Sequence, residues 1–215
     1  MKTLFAAAAA VALIAGAGAA SAQDFQPKEK GTWMVNVRAT SVAPDESAAI
    51  ETAAGAATGL SAAVSNDTIP SLGIVYFITD KLAIDVTLGT SKHEIDAVGA
   101  GPAVRVHETW LLPPVVALQY HPLPAARVSP YVGAGVNYML FYNGSDKNGF
   151  NVDLDNGFGL ALQAGVDVAI KGPWSVNLDA KKVFFDTDAD INNGALKSDV
   201  QLDPWVISLG LGRKF

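Results

Sequence analysis

The fold is decided by the last thirteen residues, Asp203-Pro-Trp-Val-Ile-Ser-Leu-Gly-Leu-Gly-Arg-Lys-Phe215. Counting back in twos from Phe215 gives Arg213, Leu211, Leu209, Ile207 and Trp205. The other parity is Lys214, Gly212, Gly210, Ser208 and Val206. One face is apolar with aromatics at both ends, and the other is small or polar. This is the two-residue period of a strand whose faces meet different media. An aromatic last residue after such an alternation predicts the closing strand of an outer-membrane barrel, paired with the first strand.

The opposite end, MKTLFAAAAAVALIAGAGAASAQ, has a basic start, an apolar and small-residue run, and an Ala20-Ser21-Ala22 cleavage pattern. It predicts a secretory signal peptide over residues 1–22, cut after Ala22, and a β-barrel domain over 23–215. Beyond it no apolar run approaches the ~18 residues of a spanning helix. Yet half the chain (50%) is hydrophobic and only 17% is charged. A membrane chain without spanning helices must pair its backbone in a closed barrel. A net charge of −6 without a basic cluster gives no basis for nucleic-acid binding. No cysteine and three scattered histidines predict neither a disulfide framework, a metal site nor a cofactor.

Alternation recurs upstream. Strands are predicted from Trp33, over Ile69–Ile78, from Leu82, from Val104 to Tyr120, from Val132, from Phe158 and from Trp174, with the C-terminal strand as the eighth. Val104, Val106, Trp110, Leu112, Val116, Leu118 and Tyr120 share one parity of the fourth strand. Pro113-Pro114 interrupts that strand, and a local break is predicted there because proline cannot donate to a ladder. Connections are long after odd strands and short after even ones, as an up-and-down barrel with short periplasmic turns requires. The long ones (42–68, 91–102, 143–156 and 186–198) read as loops, the first with a short helix near Glu46–Ala57. Aromatics form two predicted lipid-interface girdles: Trp33, Tyr76, Tyr120, Trp174 and Phe215 near the short turns, and Trp110, Tyr142, Phe158, Phe184 and Trp205 near the long connections. Glu108, Lys182 and Arg213 are rim charges on the lipid parity. The fold class is an all-β, eight-stranded, antiparallel transmembrane β-barrel.

Eight strands leave a lumen filled by side chains, which excludes a wide aqueous pore. The inward parity predicts an apolar mouth of Leu111, Pro113, Met139, Phe141 and Val183. Below it lies a polar floor of Arg38, Asp85, Asp167, Asp179 and Lys181, with Asn36, Gln119, Ser175 and Asn177 nearby. The bland alternative is a filled lumen whose basic groups pair the aspartates, because buried charges must be paired. Ser91, His93, Asp96 and His107 near the outer end invite comparison with a hydrolase triad. Their spacing does not join a nucleophile to a base and an orienting group, so no enzyme is expected.

Six stretches carry a resemblance: IVYFITDKLAIDV (74–86), KHEI (92–95), LPPVVALQYHPL (112–123), PYVGAGVNY (130–138), Thr187-Asp188 and the C-terminal stretch. In this order they resemble the outer membrane protein W (OmpW) family. The resemblance implies a narrow, largely apolar barrel that passes small hydrophobic molecules, or a non-conducting structural or receptor barrel of the phage or colicin type. The expected partners are outer-membrane lipid and lipopolysaccharide, small hydrophobic solutes and, through the C-terminal strand, the barrel-assembly machinery. The expected location is the bacterial outer membrane.

Overall fold

A computed structural model describes residues 24–46 and 48–215; the predicted signal peptide lies outside the described residues. In chain order the strands are β1 (Trp33–Ala43), β2 (Ala49–Thr52), β3 (Ala57–Val64), β4 (Asp67–Phe77), β5 (Leu82–Gly89), β6 (Ser91–Val98), β7 (Val104–Leu112) and β8 (Val115–Tyr120). They continue as β9 (Val128–Asp146), β10 (Val152–Leu154), β11 (Gly157–Ala169), β12 (Trp174–Phe184), β13 (Asp186–Ile191), β14 (Leu196–Gln201) and β15 (Trp205–Lys214). Eight of them, β1, β4, β5, β8, β9, β11, β12 and β15, form the wall, each antiparallel to the next. The C-terminal stretch closes it: β15 pairs with β1 from Met34↔Lys214 to Ala43↔Trp205. Phe215 N donates to Trp33 O (2.8 Å) and completes the seam.

The side-chain alternation fixes which face meets lipid. Ile207, Leu209 and Leu211 are more than half exposed, while Ser208, Gly212 and Lys214 between them are buried. The aromatics predicted as girdles project from the wall at both ends. Trp33 leans on Tyr76 (centroids 4.6 Å) at the short-turn end, and Trp110 approaches Tyr142 (6.4 Å) at the other. Arg213 lies over the rings of Trp174 and Phe215, so its charge stays at the rim while its stem covers apolar surface.

The long connections depart from expectation, because all four are largely strand. The wall strands run on past the aromatic girdle into a second tier, ordered β10-β13-β14-β2-β3-β6-β7-β9. No helix forms near Glu46–Ala57; β2 and β3 make a hairpin instead, held by β14 and β6. A lone helix of this length is marginal, whereas two waiting strand edges give the hairpin ladder partners on both sides. Bulges at Ile95/Asp96 and Glu108/Trp110 shift the register. They reverse the predicted parity of Val106, which is buried inside rather than facing lipid. The break at Pro113-Pro114 is present: it separates β7 from β8.

Among the described residues no ladder joins β9 to β10. Side chains close that seam. Asp146 accepts from His107 Nδ1 (2.8 Å), Val152 N (3.1 Å) and Asn151 (3.1 Å), and Asn156 Oδ1 accepts from Phe141 N (2.7 Å). Desolvation works to raise the Asp146 carboxyl, but these hydrogen bonds outweigh it and hold the group below the usual carboxylate range. A depressed folded-state value means the stabilisation is complete above the unfolded carboxylate pKa and disappears as pH falls through the folded one. Asp146 is partly exposed, so the effect is local and screened.

Two outcomes follow from the wall and its upper tier. Leu209→Arg, at the middle of the closing strand, is expected to destabilise the barrel by about 2–4 kcal/mol in equilibrium unfolding from lipid vesicles. Acidification below the carboxylate range is expected to lower the amide-exchange protection factor of Val152, measured against the intrinsic rate at the same pH, and Asp146→Asn should show the same loss of protection at neutral pH.

Candidate functional site

The upper tier surrounds a vestibule that is partly open to solvent, lined by side chains from Val42 to Pro204. Its walls are Ile50, Val64, Ile95, Val106, Leu111, Met139, Phe141, Val152, Leu154, Ile191, Val200 and Leu202. These come from eight of the strands and from the Leu202 segment, which the two-residue period aims inward together. Four polar side chains share the lining, and each is committed to the protein. His93 spans Ser65 O (Nδ1, 2.7 Å) and Ser91 Oγ (Nε2, 2.8 Å). Thr187 donates to Asp155 O (2.8 Å) and Ser198 to Ala49 O (2.9 Å), while Thr109 reaches only long contacts to Trp110 O and Tyr142 O. A solute here meets hydrocarbon and no strong free hydrogen-bonding group.

Of the residues expected at the mouth, Leu111, Met139 and Phe141 line the vestibule. Val183 lies in the buried cluster that also holds Val115, Ala117, Ala161 and Phe185 and that Leu111 and Met139 join. Pro113 is half-buried and absent from the lining; it belongs to the wall break.

Below this cluster the lumen is polar, and the five expected floor residues are brought together, all at 2% exposure or less. Lys181 Nζ sits 2.5 Å from Asp179 and 3.6 Å from Asp85. Gln163 donates to both carboxylates (2.6 and 3.1 Å), and Tyr131 OH donates to Asp179 (2.7 Å). Arg38 Nε donates to Asn177 Oδ1 (2.7 Å), and Asn177 Nδ2 donates on to Asp167 (2.8 Å). Glycines on the inward parity make this possible. A Cβ on Gly73 would overlap the Arg38 guanidinium, and one on Gly165 would overlap the Tyr131 ring.

Three floor members were not legible as such. Tyr131 and Gln163 lie on the inward parity, but polarity alone does not separate network members from filling. Lys28 precedes every periodic segment, so no strand pattern places it. It nevertheless reaches inside, bonding Asp167 (2.6 Å) and Ser129 (2.9 Å) and lying 3.1 Å from His121 Nδ1. A third layer also goes beyond the two-part expectation: Met34, Val75, Phe77 and Ala83 form an apolar base at the short-turn end.

The Ser91, His93, Asp96 and His107 set does not assemble into a triad. Asp96 pairs with Arg105 and His107 with Asp146, so His93 is oriented by a backbone carbonyl. Ser91 is fully buried.

The OmpW family model matches residues 29–215. The chain is 38% identical over 215 residues to the uncharacterised outer-membrane protein y4mB of Sinorhizobium fredii, covering 98% of this chain and 92% of that one. It is 31% identical over 193 residues to the dibenzothiophene metabolism operon protein PahQ of Pseudomonas aeruginosa, covering 87% and 90%. The solved structure of the outer membrane protein OprG from Pseudomonas aeruginosa superposes with a TM-score of 0.83 at 29% identity, covering 89% of this chain and 99% of that one. A closed eight-stranded wall, a lipid-facing apolar surface and a match over nearly the whole barrel lead to one conclusion: this chain belongs to the OmpW family of outer-membrane proteins.

Proposed function

We propose that the barrel is a narrow conduit for small apolar solutes, which enter the vestibule from outside and leave sideways into the bilayer. The observation that carries this reading is an apolar vestibule resting on a charged, hydrogen-bonded floor. Burying a solute hydroxyl without a partner costs about 1–3 kcal/mol, so a vestibule with its polar groups already engaged favours hydrocarbon over polar molecules. The floor opposes straight passage, because an apolar molecule there would separate paired charges.

The exit is the break beside Pro113-Pro114. The β5–β8 ladder ends at Thr87↔Val115, and the β6–β7 ladder resumes at Ser91↔Leu111. Residues 88–90 therefore face residues 112–114 without ladder pairs among the described residues. Leu111 and Val115 flank this weak point and belong to the buried cluster at the vestibule base. The name of the Pseudomonas aeruginosa relative, which refers to dibenzothiophene metabolism, is consistent with an apolar cargo. The Ser91–His93 pair serves packing in this reading, with no catalytic step.

Phe141 is half-buried at the vestibule wall, where a carboxylate would meet an approaching solute. Phe141→Asp is expected to cut uptake of an apolar hydrocarbon by at least about tenfold in cells, a loss of only about 1.4 kcal/mol in partitioning. Met139→Asp, deeper in the lining, should do the same, with heat-modifiable gel mobility reporting the folded barrel. Uptake equal to that of the unaltered protein would overturn the conduit.

A further inference from the structure

The stretch that carries Pro113-Pro114 is held on one flank only. Towards β9 it is bonded almost residue by residue: Leu111 pairs with Phe141 and Leu112 with Leu140, Tyr138 N donates to Pro114 O (3.2 Å), and Val115 pairs with Asn137. Towards β5 and β6 the ladder is missing between Thr87↔Val115 and Ser91↔Leu111. Two adjacent prolines bring no N–H to this stretch, so it lacks the donors a continuous ladder needs.

A side-chain bond crosses the gap instead. Thr90 lies in the unpaired stretch, and its hydroxyl shares a hydrogen bond with the hydroxyl of Tyr142 (2.5 Å). Tyr142 stands on β9, beyond the broken strand. Lys92, Trp110 and Tyr142 are direct neighbours across β6, β7 and β9, and the two-residue period puts Thr90 on the same outward face as Lys92. The Tyr142 phenol therefore reaches over β7 on the lipid side, with its ring near that of Trp110 (centroids 6.4 Å). Because residues 111–115 are bonded to β9, any parting of the gap must draw Thr90 away from Tyr142.

We propose that Thr90 and Tyr142 are the clasp of the lateral exit, a hydroxyl pair that holds residues 88–90 against residues 112–114 and parts when a solute leaves. The proposal rests on the conduit reading above. A clasp of this kind differs from a ladder in what opening costs. Thr90 is exposed and Tyr142 half-buried at the outer girdle, so each hydroxyl finds water or a lipid head group when the pair separates. No strand has to unzip, and no backbone group is stripped of a partner. A solute lying against Leu111 and Val115, at the base of the vestibule, then has a way out beside the prolines.

The test is uptake of naphthalene by cells lacking the native protein and carrying each variant, with heat-modifiable gel mobility reporting the folded barrel. Tyr142→Phe keeps the ring beside Trp110 and removes only the hydroxyl, and Thr90→Val removes the other partner at nearly constant shape. Losing one neutral hydrogen bond shifts an opening equilibrium by about two- to tenfold, and both variants are expected to raise uptake by that factor. The opposite arm locks the gap. The chain has no cysteine, so Thr90→Cys with Tyr142→Cys supplies its only thiols. The two positions are two strand spacings apart, about 10 Å, and a bis-methanethiosulfonate of that reach joins them. Cross-linking is expected to cut uptake at least tenfold, and a reductant to restore it. Uptake that the cross-link leaves unchanged, or that neither single variant raises, overturns the clasp while the unaltered protein still exceeds cells without it. Uptake by the unaltered protein no greater than in those cells overturns the conduit and the clasp together.

Discussion

Every peptide group inside hydrocarbon must find its partner within the protein, and the pairing of the first wall strand with the last is where this chain meets that demand. Without the Met34↔Lys214 to Ala43↔Trp205 ladder, two strand edges would face lipid unpaired. Closure then dictates the rest. It forces one parity outward, where it must be apolar, and the other into a lumen too narrow for a wide water channel. What distinguishes this barrel is how that lumen is divided by height.

The division follows from where the wall stops touching lipid. Above the outer girdle the wall continues as a second tier, and the vestibule lies there. Lower down, side chains from opposite walls meet. Lys181, Asp179, Asp85 and Gln163 come from three wall strands and interlock. Buried ion groups of this kind contribute little net stability against an apolar core of the same volume.

The wall was legible because its signal is local and repeated. Leu209 and Ser208 declare opposite environments one residue apart, and the same contrast recurs in each wall strand. The upper tier was not, because there both faces meet water or a vestibule and the alternation loses contrast. The Ala-rich stretch around Ala53 to Ala57 carries almost no pattern, and only the edges offered by β6 and β14 decide its fate. Val106 was misassigned because a bulge slips the register, and a one-residue slip reverses every side chain beyond it. The floor aspartates stood out as charges on an inward parity. Lys28 could not, since its role depends on a turn nearly a hundred residues away.

That separation along the chain bears on how the barrel is built. Lys28 meets Asp167, and Arg38 meets Asn177, each across 139 residues, so the polar centre joins the beginning of the chain to its last third. Such contacts cannot form while the strands are still being added one by one. Lys181 keeps Asp179 on its own strand at every stage, but in an open sheet Arg38 lacks Asn177 and Asp85 lacks both Lys181 and Gln163. The network thus favours the closed barrel over each open intermediate.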